Sequence, residues 1–306
     1  MGSFYNSYSK FLKEKFSTEV HKISLSSNAT CPNRDGTLGT GGCIYCSELG
    51  SGRIYAKTPY EQARDYFDLK IPGEKKYIAY FQSFSNMYKN KEVLIESIEK
   101  IMTLDDVVGF SVSTRPDSLD KDILECLKSI SDRYFIQIEM GLESSNDKTL
   151  ERINRKMGAN KYLYAVEQVR NTIPEAHIVC HVILGLPEEK YSDYENTIEF
   201  YVKSDSDGIK FHHLYVHKNT ELNRLFEEGR AQVMDEYEYI ECLLKLLEKI
   251  PSEKVIHRLK SSLNPNDLIA PLWTLDKHFY EKLSSSAREK KSYQGKYYGN
   301  NRFNCW

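Results

Sequence analysis

Along this chain, short runs of β-branched and aromatic residues alternate with longer stretches in which apolar positions recur at helical spacing. The strand-like runs fall at residues 20–25, 77–82, 107–113, 134–140, 177–184, 208–213 and 254–259. Helical stretches between them cover 91–102, 121–131, 147–155, 161–172, 191–203 and 234–250. A first helix precedes them, and its charged stretch 10–15 reads as a solvated face. Strand and helix alternating at this spacing predict an α/β chain with a parallel sheet and helices outside it, curled into an open or partial (β/α)6 barrel. The expected organisation is an N-terminal helix over 1–18, the partial barrel over 19–275 and a C-terminal tail over 276–306 packing on or near the barrel. No repeat of solenoid period and no long low-complexity linker breaks the pattern.

In such sheets the functional residues gather at the carboxyl ends of the strands. Those ends are polar here. The second strand leads into Gln82 and Ser83, the third ends in Ser113, Thr114 and Arg115, and the fourth runs from Glu139 through Gly141 to Glu143. The fifth carries His181 and leads to Leu186, and the sixth carries Lys210 and His212. Pro116 with Asp117, or Pro187 with Glu188, taken alone, reads equally well as a turn or a helix start. Several polar clusters at equivalent positions on one rim point instead to a ligand.

Composition narrows the picture. A chain of 306 residues can bury a sizeable core in one main domain. The formal net charge of -2 excludes a positive field on the scale of a nucleic acid, so any RNA contact must be local. Seven cysteines, no secretory leader pattern and no apolar run near membrane-spanning length point to a reducing cytoplasmic setting and no membrane partner.

Three of the cysteines fall in one short stretch, Cys31, Cys43 and Cys46, with eleven and two residues between them. Three thiolates suit an iron-sulfur cluster that keeps one iron open. A structural zinc would want a fourth Cys or His close by, and this stretch offers none; the nearest upstream histidine, His21, lies in a strand-like run. The cluster is the favoured reading, with zinc or no metal as the alternatives. Gly36, Gly39, Gly41 and Gly42 between the first two cysteines supply the permissive backbone that wrapping a bulky group requires.

The cysteine loop, Tyr45 just before its last cysteine, the run Ser113 to Asp117, the run Glu139 to Glu143, Arg152 to Arg155 and Gly185 to Pro187 together resemble the radical S-adenosylmethionine enzymes, over roughly residues 21–273. More narrowly, they resemble the branch that includes the Elongator catalytic subunit and a group of compact bacterial proteins. The superfamily usually spaces its cysteines Cys-x3-Cys-x2-Cys; the longer first gap is one this branch shows. The resemblance implies a partial barrel of the radical SAM type with extra terminal elements. It also implies a 4Fe-4S cluster on Cys31, Cys43 and Cys46, with S-adenosyl-L-methionine as its partner. Reductive cleavage of that cofactor would give a 5'-deoxyadenosyl radical, fed by an external flavodoxin- or ferredoxin-like electron donor.

Roles follow from the same resemblance. Tyr45 would lie beside the adenine, Gln82 and Ser83 near the methionine amine, and Ser113 and His181 near the ribose, while Leu186 packs on the adenine. Glu143 and Arg155 match a cofactor-contacting pair in which Arg155 takes the methionine carboxylate in a fork. Glu143 stands where the family usually has Gln, which leaves it to take the amine, pair with Arg155 or reach the substrate. Lys156 and Met157 replace a customary Gly-His.

Substrate contacts are expected from Glu139, Lys210, His212 and Arg258, with a carboxylate in the barrel accepting from the N–H edge of a guanine-like base. The resulting expectation is a radical enzyme acting on a nucleobase-type small molecule. Queuine lyase, a carbon-nitrogen lyase that releases 7-aminomethyl-7-deazaguanine in queuosine salvage, is the named candidate. Modification of a tRNA wobble base and a non-catalytic metal-stabilised binding protein are the alternatives. The tail carries Arg288, Lys290, Lys291, Lys296 and Arg302 among Tyr293, Tyr297, Tyr298, Phe303 and Trp306. Such a segment either contacts nucleic acid or folds its rings over the barrel opening, and the second is favoured because the chain as a whole is not basic.

Overall fold

The computed structural model describes residues 4–48, 50, 55–68 and 75–298. In chain order its elements are α1 (Tyr8–Phe16), β1 (Val20–Leu25), α2 (Pro59–Asp68), β2 (Lys76–Phe81), α3 (Lys91–Ile101), β3 (Val107–Thr114), α4 (Lys121–Ile130) and β4 (Phe135–Glu143). Then follow α5 (Asp147–Arg152), α6 (Asn160–Thr172), β5 (His177–Leu184), α7 (Tyr191–Val202), β6 (Gly208–His213), β7 (Val216–His217) and α8 (Glu221–Glu227). The chain continues through α9 (Glu236–Leu247), β8 (Val255–Arg258), β9 (Leu268–Ala270) and α10 (Phe279–Glu289).

Seven strands form one sheet in the order β1-β2-β3-β4-β5-β6-β8, and every pairing is parallel. These seven strands fall on the seven strand-like runs of the sequence, the first six leading into the six strand–helix units of the expected α/β partial barrel and β8 closing the sheet. The sheet curls into a half-barrel. Tyr80 of β2 and Lys210 of β6 stand four strands apart, about 19 Å along a flat sheet, yet Lys210 Nζ lies 3.1 Å from Tyr80 Oη. Only a concave sheet lets the two side chains meet. Its helix-facing side is packed with fully buried residues such as Phe81, Phe110, Ile138 and Phe211, and α9 alone buries Tyr239, Leu243, Leu246 and Leu247. Helix starts follow ordinary capping chemistry: Asp120 accepts from the backbone of Asp122 and Ile123 at the head of α4, and Asp235 accepts from Glu238 N at the head of α9.

Differences from the expected elements have local causes. β4 runs three residues past Met140 to Glu143, through Gly141, which a sequence reading takes as a stop. α5 ends at Arg152, so Arg155 leaves the helix and stands in a turn. α2, α8, α10 and the small antiparallel pair of β7 with β9 were not anticipated.

The described part of the C-terminal segment, as far as Tyr298, is anchored away from the opening. α10 buries Phe279, Leu283 and Ala287 at helical spacing. Beyond it, the buried Gln294 donates to the carbonyls of Pro251 and Lys254, just before β8, at 2.7 and 2.8 Å. That is the amino-terminal edge of the sheet, opposite the strand ends that hold the candidate site. Arg302, Phe303 and Trp306 lie outside the described residues. Among the described residues no helix is long and apolar enough to cross a membrane.

Candidate active site

The loop after β1 is held by its own polar groups. Arg34 N and Asp35 N both donate to Cys31 O, at 2.8 and 3.1 Å, and Cys46 N donates to Cys43 O at 2.9 Å. Arg34 Nη2 donates to the carbonyls of Cys46 and Ser47, at 2.6 and 2.7 Å, drawing the two ends of the loop together. The fully buried Asn33 donates to Asn154 O at 2.6 Å, Asn154 Nδ2 returns to Gly42 O at 2.8 Å, and Ile44 N donates to Ile153 O at 3.1 Å. The loop is thus stapled to the turn after α5. Gly42 sits at φ +78°, where a Cβ would meet the Arg34 guanidinium at 2.8 Å.

The result is that Cys31, Cys43 and Cys46 line one cavity of about 230 Å3 at the carboxyl ends of the strands. Among the described residues no three His, Cys, Asp or Glu side chains converge on a single-ion site. Burial pushes the Cys46 thiol up, with Arg34 working against it, so any group that takes this sulfur as thiolate must release its proton.

Across the cavity stands the end of β4. Its register with β5 shifts between Gly141 and Glu143, and Glu143 adopts φ +66°, a strained conformation for a non-glycine residue. Gly141 makes room for two neighbouring side chains: a Cβ there would lie 2.1 Å from Glu143 Oε1 and 2.8 Å from Arg155 Nη2. Arg155 Nη2 donates to Gly141 O at 2.7 Å and lies 3.4 Å from Glu143 Oε1, and its Nη1 lies 4.0 Å from Cys43 Sγ. Burial opposes the charge on Arg155, but Glu143, Tyr45 and Cys43 together outweigh it and the guanidinium is held charged. Burial also raises the Glu143 carboxyl, against the pull of Arg155 and Arg115. Arg115 forks onto Asp117 at 2.8 and 2.7 Å and donates to Arg155 O at 3.1 Å. Arg155 Nε and Arg115 Nη1 are buried and have no hydrogen-bond partner. Two guanidinium groups bordering one cavity thus each keep an unpartnered donor, the chemistry that suits an anionic oxygen group.

Deeper in the barrel, Glu139 is fully buried and saturated. Its oxygens accept from Lys22, Lys210 (2.7 Å), His181 Nε2 (2.8 Å), Tyr80 Oη (3.0 Å), Ser111 Oγ (3.1 Å) and Gln137 Nε2 (2.6 Å). Burial works to raise this carboxyl, yet Lys210, Lys22 and His181 together hold it well below the usual carboxylate range. Burial lowers both lysines, partly offset by Glu139. It takes His181 down to about 4, with Lys210 adding to the effect, so the ring is neutral.

Of the residues expected at the site, Cys31, Cys43, Cys46, Tyr45, Gln82, Ser113, Glu143, Arg155, His181, Glu139, Lys210, His212 and Arg258 all border this cavity. Ser83 and Leu186 do not. Ser83 is buried behind the rim, where its carbonyl accepts from Asn86 at 3.1 Å, and Leu186 belongs to the apolar core. Glu139 borders the cavity, but with six donors already on its two oxygens it has no lone pair left for a base edge. Sequence reasoning singled out Arg115 within its strand-end run but gave it no role of its own. It missed Lys22 and Tyr80, whose role depends on contacts 117 and 59 residues away along the chain.

Comparison with known proteins bears on the same residues. A family model described as the Radical SAM superfamily matches residues 31–201, and one described as the Radical_SAM C-terminal domain matches 206–285. The uncharacterized protein YtqA of Bacillus subtilis (strain 168) is 33% identical over 302 residues, covering 96% of this chain and 92% of the relative. A tRNA-2-methylthio-N(6)-dimethylallyladenosine synthase of Clostridium botulinum (strain Hall) is 23% identical over 218 residues, covering 69% of this chain and 48% of the synthase. Among solved structures, Elp3 of the archaeon Methanocaldococcus infernus superposes with a TM-score of 0.67 at 13% identity, covering 90% of this chain and 64% of that one.

Proposed function

Because the chain belongs to the radical SAM superfamily, we propose that it removes a hydrogen atom from a nucleobase-type substrate, and that this base is part of a transfer RNA. The cofactors of the family are a 4Fe-4S cluster and S-adenosylmethionine. The residues present fit both: three thiols border one cavity, and beside them the same cavity is lined by two buried guanidinium groups with unpartnered donors. When bound and reduced by one electron from an external donor, the pair supplies a 5'-deoxyadenosyl radical.

Everything else falls to the chain. Cys31, Cys43 and Cys46 hold the cluster, and Asn33 and Arg34 hold their loop. Arg155, supported by Arg115, takes the methionine carboxylate in a fork, and Glu143 keeps Arg155 aimed. Tyr45 and Ser113 border the nucleoside. Glu139, Lys22, Lys210, His181 and Tyr80 form a rigid polar floor that fixes how deep the substrate enters. The curled sheet keeps water from the reacting atoms. A flavodoxin- or ferredoxin-like protein supplies the electron.

The observation that carries this reading is the single cavity shared by the three thiols and the polar floor, since it brings cofactor and substrate within reach of one another. The transfer RNA form draws support from the named activity of the Clostridium relative and from the branch resemblance. The free-base form, cleavage of queuine to 7-aminomethyl-7-deazaguanine by a carbon-nitrogen lyase, keeps the support of the net charge of -2. It loses the acceptor it needed, because Glu139 is saturated and Glu143 faces Arg155. Reconstituted enzyme with S-adenosylmethionine and reductant is incubated with bulk transfer RNA or with queuine, and digested nucleosides and free bases are compared by mass spectrometry. A nucleoside mass shift with transfer RNA supports the first form. Turnover of queuine without RNA replaces it with the second, and turnover of neither rejects both.

A further inference from the structure

Arg258 ends β8 directly beside Lys210 of β6, its partner in the sheet register, and borders the cavity on the side away from Arg155. Every other charged group on that wall has a counterpart. Lys210 and Lys22 share Glu139, and His181 donates to it. The Arg258 guanidinium makes no hydrogen bond or ion pair among the described residues. Among the groups that feel its charge are His212, His181, Lys210, Tyr215 and Tyr280, none of them a carboxylate. A guanidinium that lines a half-enclosed cavity beside the Lys210 ammonium and neutral rings, with the nearby Glu139 already shared by two lysines, lacks an anion of its own.

A second observation falls at the same place. His212 Nε2 is buried and has no partner. Ser261 Oγ gives its one proton to His213 O at 3.0 Å, so the His212 nitrogen 3.4 Å from that oxygen, Nδ1, carries the ring proton and Nε2 presents a lone pair. The ring is neutral, since burial and Arg258 both disfavour its charge. It therefore neither compensates Arg258 nor competes with it for an anion. Next to a free fork of donors stands a free acceptor, and both border the space left for the substrate.

We propose that Arg258 is a substrate-recognition residue that takes an anionic oxygen group, carboxylate or phosphate, on the substrate, with Lys210 adding to the field and His212 Nε2 accepting from an adjacent N–H or O–H. The inference rests on the cavity being the substrate site. It names the chemistry that the substrate carries: an acidic group close to the position from which hydrogen is removed. A neutral, unsubstituted base leaves the subsite empty and binds weakly.

The test reads the subsite without turnover. Crystals of the reconstituted holoenzyme, with S-adenosylmethionine present to engage Arg155, are soaked with 4-bromobenzoate, whose aryl bromine does not alkylate thiols or imidazoles, as the carboxylate probe or selenate as the phosphate probe. Anomalous difference maps locate the ion in wild type, Arg258→Gln and Arg258→Lys, with melting temperatures as folding controls. A bromine peak at hydrogen-bonding distance from Arg258, absent in Arg258→Gln and weakened in Arg258→Lys, establishes a carboxylate subsite; the same pattern with selenium establishes a phosphate subsite. No peak at Arg258 in wild type, or a peak that Arg258→Gln leaves unchanged and so an adventitious ion only, overturns the proposal. Failure of the cofactor reading shows differently, as probe at Arg155 and Arg115, which S-adenosylmethionine would have blocked.

Discussion

Arg155 Nη2 lies 3.4 Å from Glu143 Oε1 while its Nη1 stands 4.0 Å from Cys43 Sγ, so one guanidinium bridges the end of β4 and the cysteine loop. The pair is possible only because position 141 is glycine. Replacing Arg155 by Lys keeps the charge and removes the fork, and losing one charge-assisted hydrogen bond costs about 1.5–3 kcal/mol. S-Adenosylmethionine binding, read by equilibrium dialysis on the reconstituted protein, is expected to weaken about 10–100-fold with iron content unchanged. Gly141→Ala pushes on both partners and is expected to weaken binding in the same direction. Unchanged affinity in both variants would remove Arg155 from the cofactor site.

The polar floor predicts strong non-additivity. Glu139→Leu leaves Lys22 and Lys210 buried without their acid, a loss of about 3–5 kcal/mol for breaking a buried ion pair by removing one partner. Replacing all three by Leu, Met and Met removes the unpaired charges as well, and is expected to restore much of that stability in urea titrations. A triple variant as unstable as the sum of its parts would mean that the cluster is held by something other than mutual compensation.

Buried neutral histidines give a pH dependence of known sign. Burial lowers His177 and His181 to about 4, below their ordinary value in the unfolded chain. Between those limits the unfolded chain binds more protons, so each residue contributes stability that is full above about pH 6.5 and is lost as the pH falls toward 4. The slope is at most about 1.4 kcal/mol per pH unit for each group. Urea midpoints at pH 7, 6 and 5 are expected to fall progressively, and His177→Gln should flatten the trend. A flat wild-type profile over this window would contradict the burial of both rings.

The C-terminal segment is expected to matter for stability and not for catalysis. Gln294 is fully buried, accepts from Asn6 N at 2.9 Å and donates to two carbonyls before β8, tying both ends of the chain to the edge remote from the cavity. Gln294→Ala should cost roughly 2–4 kcal/mol, through several buried groups left unpaired, and leave cofactor cleavage per folded molecule unchanged. A selective loss of cleavage would place the segment at the site after all.

Much of this was legible in the sequence because it is local. β1, β5 and β6 coincide with their β-branched and aromatic runs, and the cysteine spacing alone pointed to the cluster loop. What escaped depends on contacts between distant residues. Glu139 looked like a free acceptor because Lys22, on another strand, gives no sign in sequence that it points at the same spot. α10 was masked by its serines and basic residues, although Phe279, Leu283 and Ala287 carried the helical spacing.

The central claim is that the cavity bordered by Cys31, Cys43 and Cys46 carries radical SAM chemistry. Its most direct test is anaerobic reconstitution with iron and sulfide, addition of S-adenosylmethionine and dithionite, and quantitation of methionine and 5'-deoxyadenosine by mass spectrometry, with Cys43→Ala alongside. The account predicts reductant-dependent formation of both products by the wild type and neither by the variant. Intact S-adenosylmethionine over a filled and reduced cluster, or equal cleavage by Cys43→Ala, would contradict it.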